Sequence, residues 1–92
     1  MMETISGKIE RLLKEKLGAT VVQTEDDSWL HAGHNPKGGG GHYRLRVVSP
    51  LFSGKTLLER HRLVNDVVFS EMEGLVHALA IKALTPEEWK EI

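Results

Sequence analysis

Ile5, Ile9, Leu12, Leu13 and Leu17 recur at the three- and four-residue spacing of an α-helix, while Lys8, Glu10, Arg11, Lys14 and Glu15 fall on the opposite side. Gly18 follows the last apolar position and suits the left-handed conformation that ends helices, so the pattern predicts an amphipathic helix from Thr4 to Leu17. Thr20 to Thr24 is short and β-branched and reads as a strand, with a polar edge or turn at Glu25 to Ser28. From His31 to Gly41 no periodicity survives: Gly33, Asn35-Pro36 and the glycines at 38 to 41 predict a loop. Alternation resumes at His42 to Ser49, with Tyr43, Leu45 and Val47 facing in and His42, Arg44 and Arg46 facing out. Together these segments predict a hairpin with a long, glycine-rich tip.

Pro50 and Gly54 bracket a turn before a second helix, Lys55 to Glu71. On a helical wheel Leu57, Val64, Val67 and Val68 share one arc with Leu58 at its margin; His61 falls within that arc and Glu59, Arg62, Asp66 and Ser70 lie opposite. Leu75 to Ile81 is nearly all apolar and predicts a strand covered on both faces or paired on both edges. Thr85-Pro86-Glu87-Glu88 combines a capping box with proline at the first helical position, so a short helix starts there. The crossover through the long helix should make the second and third strands parallel. The expected fold is therefore α+β, helix-strand-strand-helix-strand-helix, with a mixed three-stranded sheet covered by helices on one face. A length of 92 residues suits one domain spanning residues 1–92.

Composition narrows the chemistry. The net charge is -1, so no global field draws the chain to nucleic acid or an anionic membrane; such binding would need a local basic patch. The absence of cysteine removes disulfides, thiolate catalysis and any metal site built on this chain's own sulfur. No basic leader precedes an apolar run, and no apolar stretch approaches the ~18 residues of a membrane span. The expectation is a soluble protein of the cytoplasm or, in a eukaryote, an organelle matrix. No serine lies in a nucleophile motif and no carboxylate pair is set in an apolar element, which argues against an enzyme.

The five histidines carry the candidate chemistry. His77 reads as a core or sheet-edge histidine with one backbone hydrogen bond, and His42 as structural or incidental. His31 and His34 are three apart, a spacing that shares a side only on a helix, so on the residues alone they read as solvated loop histidines. His61, between Arg60 and Arg62, reads two ways. It either lines the helix–sheet seam or, with two guanidiniums favouring the neutral imidazole, offers a lone pair to a metal. Arg44, Arg46, Arg60 and Arg62 are either solvated charges or a basic patch for a partner or nucleic acid. The glycine run does not follow a strand and open a helix, so it is not a phosphate-binding loop.

In order along the chain stand His31-Ala32-Gly33-His34, Gly41-His42-Tyr43-Arg44-Leu45, Val47-Val48-Ser49-Pro50-Leu51-Phe52-Ser53-Gly54-Lys55, Leu58-Glu59-Arg60-His61-Arg62-Leu63-Val64-Asn65, Val76-His77-Ala78-Leu79-Ala80-Ile81-Lys82-Ala83 and Thr85-Pro86-Glu87-Glu88-Trp89. This ordered set resembles the BolA family across essentially the whole chain, most specifically in Arg-His-Arg after S-x-x-F-x-G. The resemblance implies a class II KH-like fold. It further implies a non-enzymatic partner of monothiol glutaredoxins that shares a 2Fe-2S cluster with them, the glutaredoxin cysteine and glutathione supplying thiolates. On this pattern His61 of Arg-His-Arg and His34 of the loop would be the ligands, with His31 as the alternative in the loop; the missing cysteine places the chain with the histidine-type members. Imidazole in place of thiolate raises a cluster's potential and makes its binding pH-dependent. Iron–sulfur trafficking, iron homeostasis or redox regulation would follow, with the isolated protein a monomer or weak homodimer. The rival is a KH-like DNA-binding transcriptional regulator. Against it, no G-x-x-G joins two helices here and the segment Ser70 to Gly74 is acidic.

Overall fold

A computed structural model describes residues 4–26, 41–72 and 76–91. The elements are α1 (Ile5–Leu17), β1 (Val21–Asp26), β2 (Gly41–Val48), a 3-10 turn (Pro50–Phe52), α2 (Leu57–Glu71), β3 (Val76–Leu84) and α3 (Pro86–Lys90). The strand order is β1-β2-β3, with β1 antiparallel and β3 parallel to β2, as the crossover rule requires. The architecture is the expected α+β arrangement with a mixed three-stranded sheet.

The helices begin and end where the local chemistry dictates. Thr4 caps α1 by accepting from the Gly7 amide, and Gly18 closes it in the left-handed conformation at φ 61°. Helix α2 begins at Leu57, two residues later than expected, because Thr56 and Glu59 form a capping box. Thr85 and Glu88 repeat the device at α3.

The core lies between the sheet and the long helices. Ile9, Leu13, Leu45, Val47, Phe52, Val64, Val68 and Met72 are fully buried, and Tyr43, Leu45 and Val47 supply the inward alternation expected of β2. Ser49 joins three elements at one end: its Oγ donates to the Leu17 carbonyl at 2.6 Å and accepts from the Leu51 amide, while its own amide donates to Leu84.

Three expectations need correction. Strand β1 continues through Glu25 and Asp26, which pair opposite Arg44 and Tyr43 rather than turning away. Strand β3 runs on to Leu84 and is an edge strand with Ala80 and Lys82 exposed, so its apolar composition does not reflect cover on both sides. On α2 the buried stripe is Arg60, Val64 and Val68; Leu57, placed on the apolar arc, is 65% exposed because the first turn of the helix overhangs the core.

Candidate functional site

Arg60 and His61 are neighbours with opposite fates. Successive residues on a helix diverge by about 100°, so one can point into the protein while the next flanks the surface. Arg60 is 7% exposed. Its Nε donates to the Lys55 carbonyl at 3.1 Å, and its Nη1 donates to the Ala83 carbonyl at 3.1 Å and to Glu88 Oε1 at 2.7 Å. It ties the first turn of α2 to the end of β3 and the start of α3. Glu88 in turn is held below the ordinary carboxylate value, first by the Thr85 amide and then by the Arg60 guanidinium. Arg60 is therefore no part of a partner or nucleic-acid surface, as the sequence allowed: a guanidinium this buried needs its three acceptors.

His61 is half-buried at the flank of the same stripe, one turn after Leu57 and Leu58. Among the described residues nothing hydrogen-bonds its imidazole, so both ring nitrogens remain available. Arg62 is exposed and lines a groove of about 230 Å³ with Lys55, Glu59, Leu63 and Asp66. The mixed signs of that groove make it a poor anion site. His34 and His31 lie outside the described residues, as does the side chain of His77.

The backbone at His77 is informative. Gly41 pairs with Val76 but His42 pairs with Ala78, so His77 is the extra residue of a bulge in β3, beside the residue where the glycine-rich segment rejoins the sheet. His61 stands toward the other end of the molecule, because α2 starts after the far end of β2 and returns to the start of β3. Among the described residues no three metal-ligating side chains converge. With no cysteine, the chain offers only part of a coordination shell, and imidazole is its suitable iron donor.

Arg44 and Arg46 lie on the face of the sheet turned away from α1 and α2, opposite the buried Tyr43, Leu45 and Val47. Across the strands this face reads Glu25–Arg44–Ala80 and Gln23–Arg46–Lys82. Arg44 meets Glu25 at 3.4 Å, Arg46 donates to Gln23 at 3.3 Å, and the Arg46 guanidinium sits 5.7 Å over the Trp89 ring. Gln23, Thr24, Glu25, Arg44, Leu45, Arg46 and Lys82 line a groove of about 410 Å³ there. The four arginines thus form no common patch: one is buried, one is on α2 and two are on the open face. The sequence reading missed Lys82 and Trp89 as their neighbours; pairing β3 parallel to β2 would have revealed the first.

No helix among the described residues is long and apolar enough to cross a membrane. Comparison with known proteins matches residues 13–88 to the family model for BolA-like proteins. A BolA-like protein of Caenorhabditis elegans is 45% identical over 96% of this chain and 84% of its own length. BolA-like protein 1 of Mus musculus is 40% identical over 95% of this chain, which spans only 62% of the mouse protein. The DNA-binding transcriptional regulator BolA of Vibrio cholerae is 33% identical over 96% of this chain and 81% of its own. Among solved structures, the BolA domain of SufE1 from Arabidopsis thaliana superposes with a TM-score of 0.79 at 39% identity, covering 96% of this chain and 99% of that domain. Sequence, strand order and helix placement agree, and the chain belongs to the BolA-like family.

Proposed function

We propose that this protein is a non-enzymatic partner of a monothiol glutaredoxin, sharing with it and glutathione a 2Fe-2S cluster in iron–sulfur trafficking, iron homeostasis or redox regulation. The observation that carries the reading is a cysteine-free chain in which His77 is the bulge residue beside Gly41, seven residues after His34 in the sequence. Such a chain completes an iron site only with thiolates brought by a second protein. Two histidines qualify as the companion of His34, with His31 its alternative. Among the described residues nothing engages the imidazole of His61 on α2; His77 has the shorter path to the loop. When bound, the cluster would supply a one-electron centre whose potential its imidazole ligands raise.

The test is reconstitution with a monothiol glutaredoxin, iron, sulfide and glutathione, read by the visible spectrum of the heterodimer. Loss of its difference from the glutaredoxin homodimer in His77→Ala but not His61→Ala assigns His77, and the converse assigns His61; His34→Ala should weaken it. Wild-type spectra from all three variants would sink the reading. A second reading, a KH-like DNA-binding regulator, is favoured by the Arg44–Arg46 groove and by the name of the Vibrio relative. A salt titration of binding to DNA, single-stranded and duplex, checks it.

A further inference from the structure

We infer that the face of the sheet turned away from α1 and α2 is a binding platform for single-stranded nucleic acid, built by Arg44, Arg46, Lys82 and Trp89. The inference rests on no part of the cluster reading; it deepens the second reading by giving it a surface and a strand type. Three cations and one carboxylate, Glu25, stand together on this face, although the chain as a whole carries a net charge of -1. That asymmetry supplies the local basic patch which the overall composition lacks. Arg44 and Arg46 are two residues apart on one strand, so their Cα atoms are separated by about 6.6 Å, and both side chains leave the same side. Lys82 extends the row sideways onto β3 opposite Arg46, while Ala80 beside Arg44 leaves the neighbouring position low. The result is a trough rather than a bristle of side chains, about 410 Å³ in volume.

Among the described residues, the contacts on this face leave its cations reachable from solvent. The Arg44–Glu25 pair is 60% and 70% exposed, and pairs of this kind exchange readily for a phosphate. Gln23 is a neutral partner for Arg46. The Arg46 guanidinium sits over the Trp89 ring, and guanidinium planes and indole rings are the surfaces on which unstacked bases settle. A duplex fits this arrangement less well. Its bases are stacked inward, and a trough in a three-stranded sheet presents no helix or ribbon to a groove.

Binding of a fluorescent thymidine oligonucleotide is to be followed by anisotropy from low to moderate salt, beside a duplex of equal length and heparin. With three phosphate contacts, the plot of log K against log salt should have a slope of about -2. Arg44→Gln, Arg46→Gln and Lys82→Gln should each make it shallower by about 0.7, Arg44→Lys should restore it, and Arg62→Gln should leave it unchanged. Trp89→Leu should weaken binding about tenfold without altering the slope, because stacking releases no counterions. Unchanged circular dichroism keeps folding out of the comparison. A slope insensitive to the three substitutions, or heparin bound as tightly with no effect of Trp89→Leu, would overturn the platform. Single strands bound no more tightly than the duplex, with neither affected by these variants, would overturn it while leaving a DNA-binding reading that uses another surface; no binding by the wild type to either nucleic acid removes both.

Discussion

Arg60→Met is the perturbation that most directly tests how α2 is held. Methionine keeps most of the buried stem and deletes the guanidinium, so packing changes little and the polar contacts vanish together. The variant loses a charge-assisted hydrogen bond to Glu88 and the donors to the Lys55 and Ala83 carbonyls. Hydrogen bonds to a charged donor contribute about 1.5–3 kcal/mol, and leaving a buried carbonyl unpaired costs about 1–3 kcal/mol. The two figures overlap, and relief of the desolvation of Arg60 itself offsets part of them, so the expected loss is about 2–3 kcal/mol. For a domain of this size that lowers the melting temperature by on the order of 10–20 °C. Urea unfolding is the assay: the midpoint should fall at constant m, since the surface exposed on unfolding is unchanged. Arg62→Met, an exposed change in the same motif, should stay within about 0.5 kcal/mol. If Arg60→Met also stayed within that margin, the clamp between α2, β3 and α3 would be decorative and the assignment of Arg60 as a structural residue wrong.

Ser49→Ala should destabilise the protein by about 1–2 kcal/mol, because the Leu17 carbonyl loses a buried donor at 2.6 Å; a neutral result by thermal unfolding would mean that water replaces the hydroxyl freely. Gly18→Ala places a side chain at φ 61° and should cost about 1 kcal/mol, whereas a stabilised variant would show that the cap can relax out of the left-handed region. Glu59 and Glu88 are both held below their ordinary value near 4.5, chiefly by the amides of Thr56 and Thr85 that they accept in the capping boxes. Depressed carboxylates contribute stability above the unfolded value, so this share is present above about pH 4.5 and fades as pH falls through the folded values. Urea midpoints between pH 6 and pH 3 should drop in the wild type and drop less in the Glu59→Gln, Glu88→Gln double variant; equal falls would contradict the capping assignment.

The parts of the fold that were legible in the sequence are those set by local chemistry. The α1 stripe, its Gly18 stop, the β2 alternation and the Thr85 capping box depend on residues within a turn or two of each other, and the structure places them as expected. The errors arose where distant residues decide. Nothing near Leu57 signals that the core ends before it reaches the first turn of α2. Arg60 reads as a surface charge until Glu88 and the Ala83 carbonyl, more than twenty residues later, are brought to it. Its i, i+4, i+8 spacing with Val64 and Val68 was the available hint. The Thr56–Glu59 capping box was also readable, and it fixes the start of α2. The histidines divide the same way: their types were visible, but which of them share an end of the molecule depends on strand register.

That register bears on the choice between His61 and His77. From His61 to Glu71, where α2 ends and the chain turns back toward the start of β3, the helix advances about 15 Å. His34 lies seven residues before Gly41, so the segment between them reaches at most about 23 Å when fully extended. A helix packed on a sheet adds about 10 Å of lateral separation at right angles to the axial distance, so the span from position 61 comes to about 18 Å and takes up most of that segment's reach. Three of the six residues between His34 and Gly41 are glycine, whose unfolded freedom is the costliest to surrender. His77 sits beside Gly41 in the register, and a loose return of the chain suffices to bring His34 to it. Lengthening the glycine run by four residues separates the two cases. If His77 is the companion ligand, the reconstituted cluster spectrum should survive the insertion nearly unchanged, because loop-closure cost grows only logarithmically with length. If His61 is the ligand, four extra residues slacken the more extended of the two reaches and should strengthen cluster retention. A cluster lost outright on insertion would contradict both, and would point to a loop held in one geometry by the partner protein.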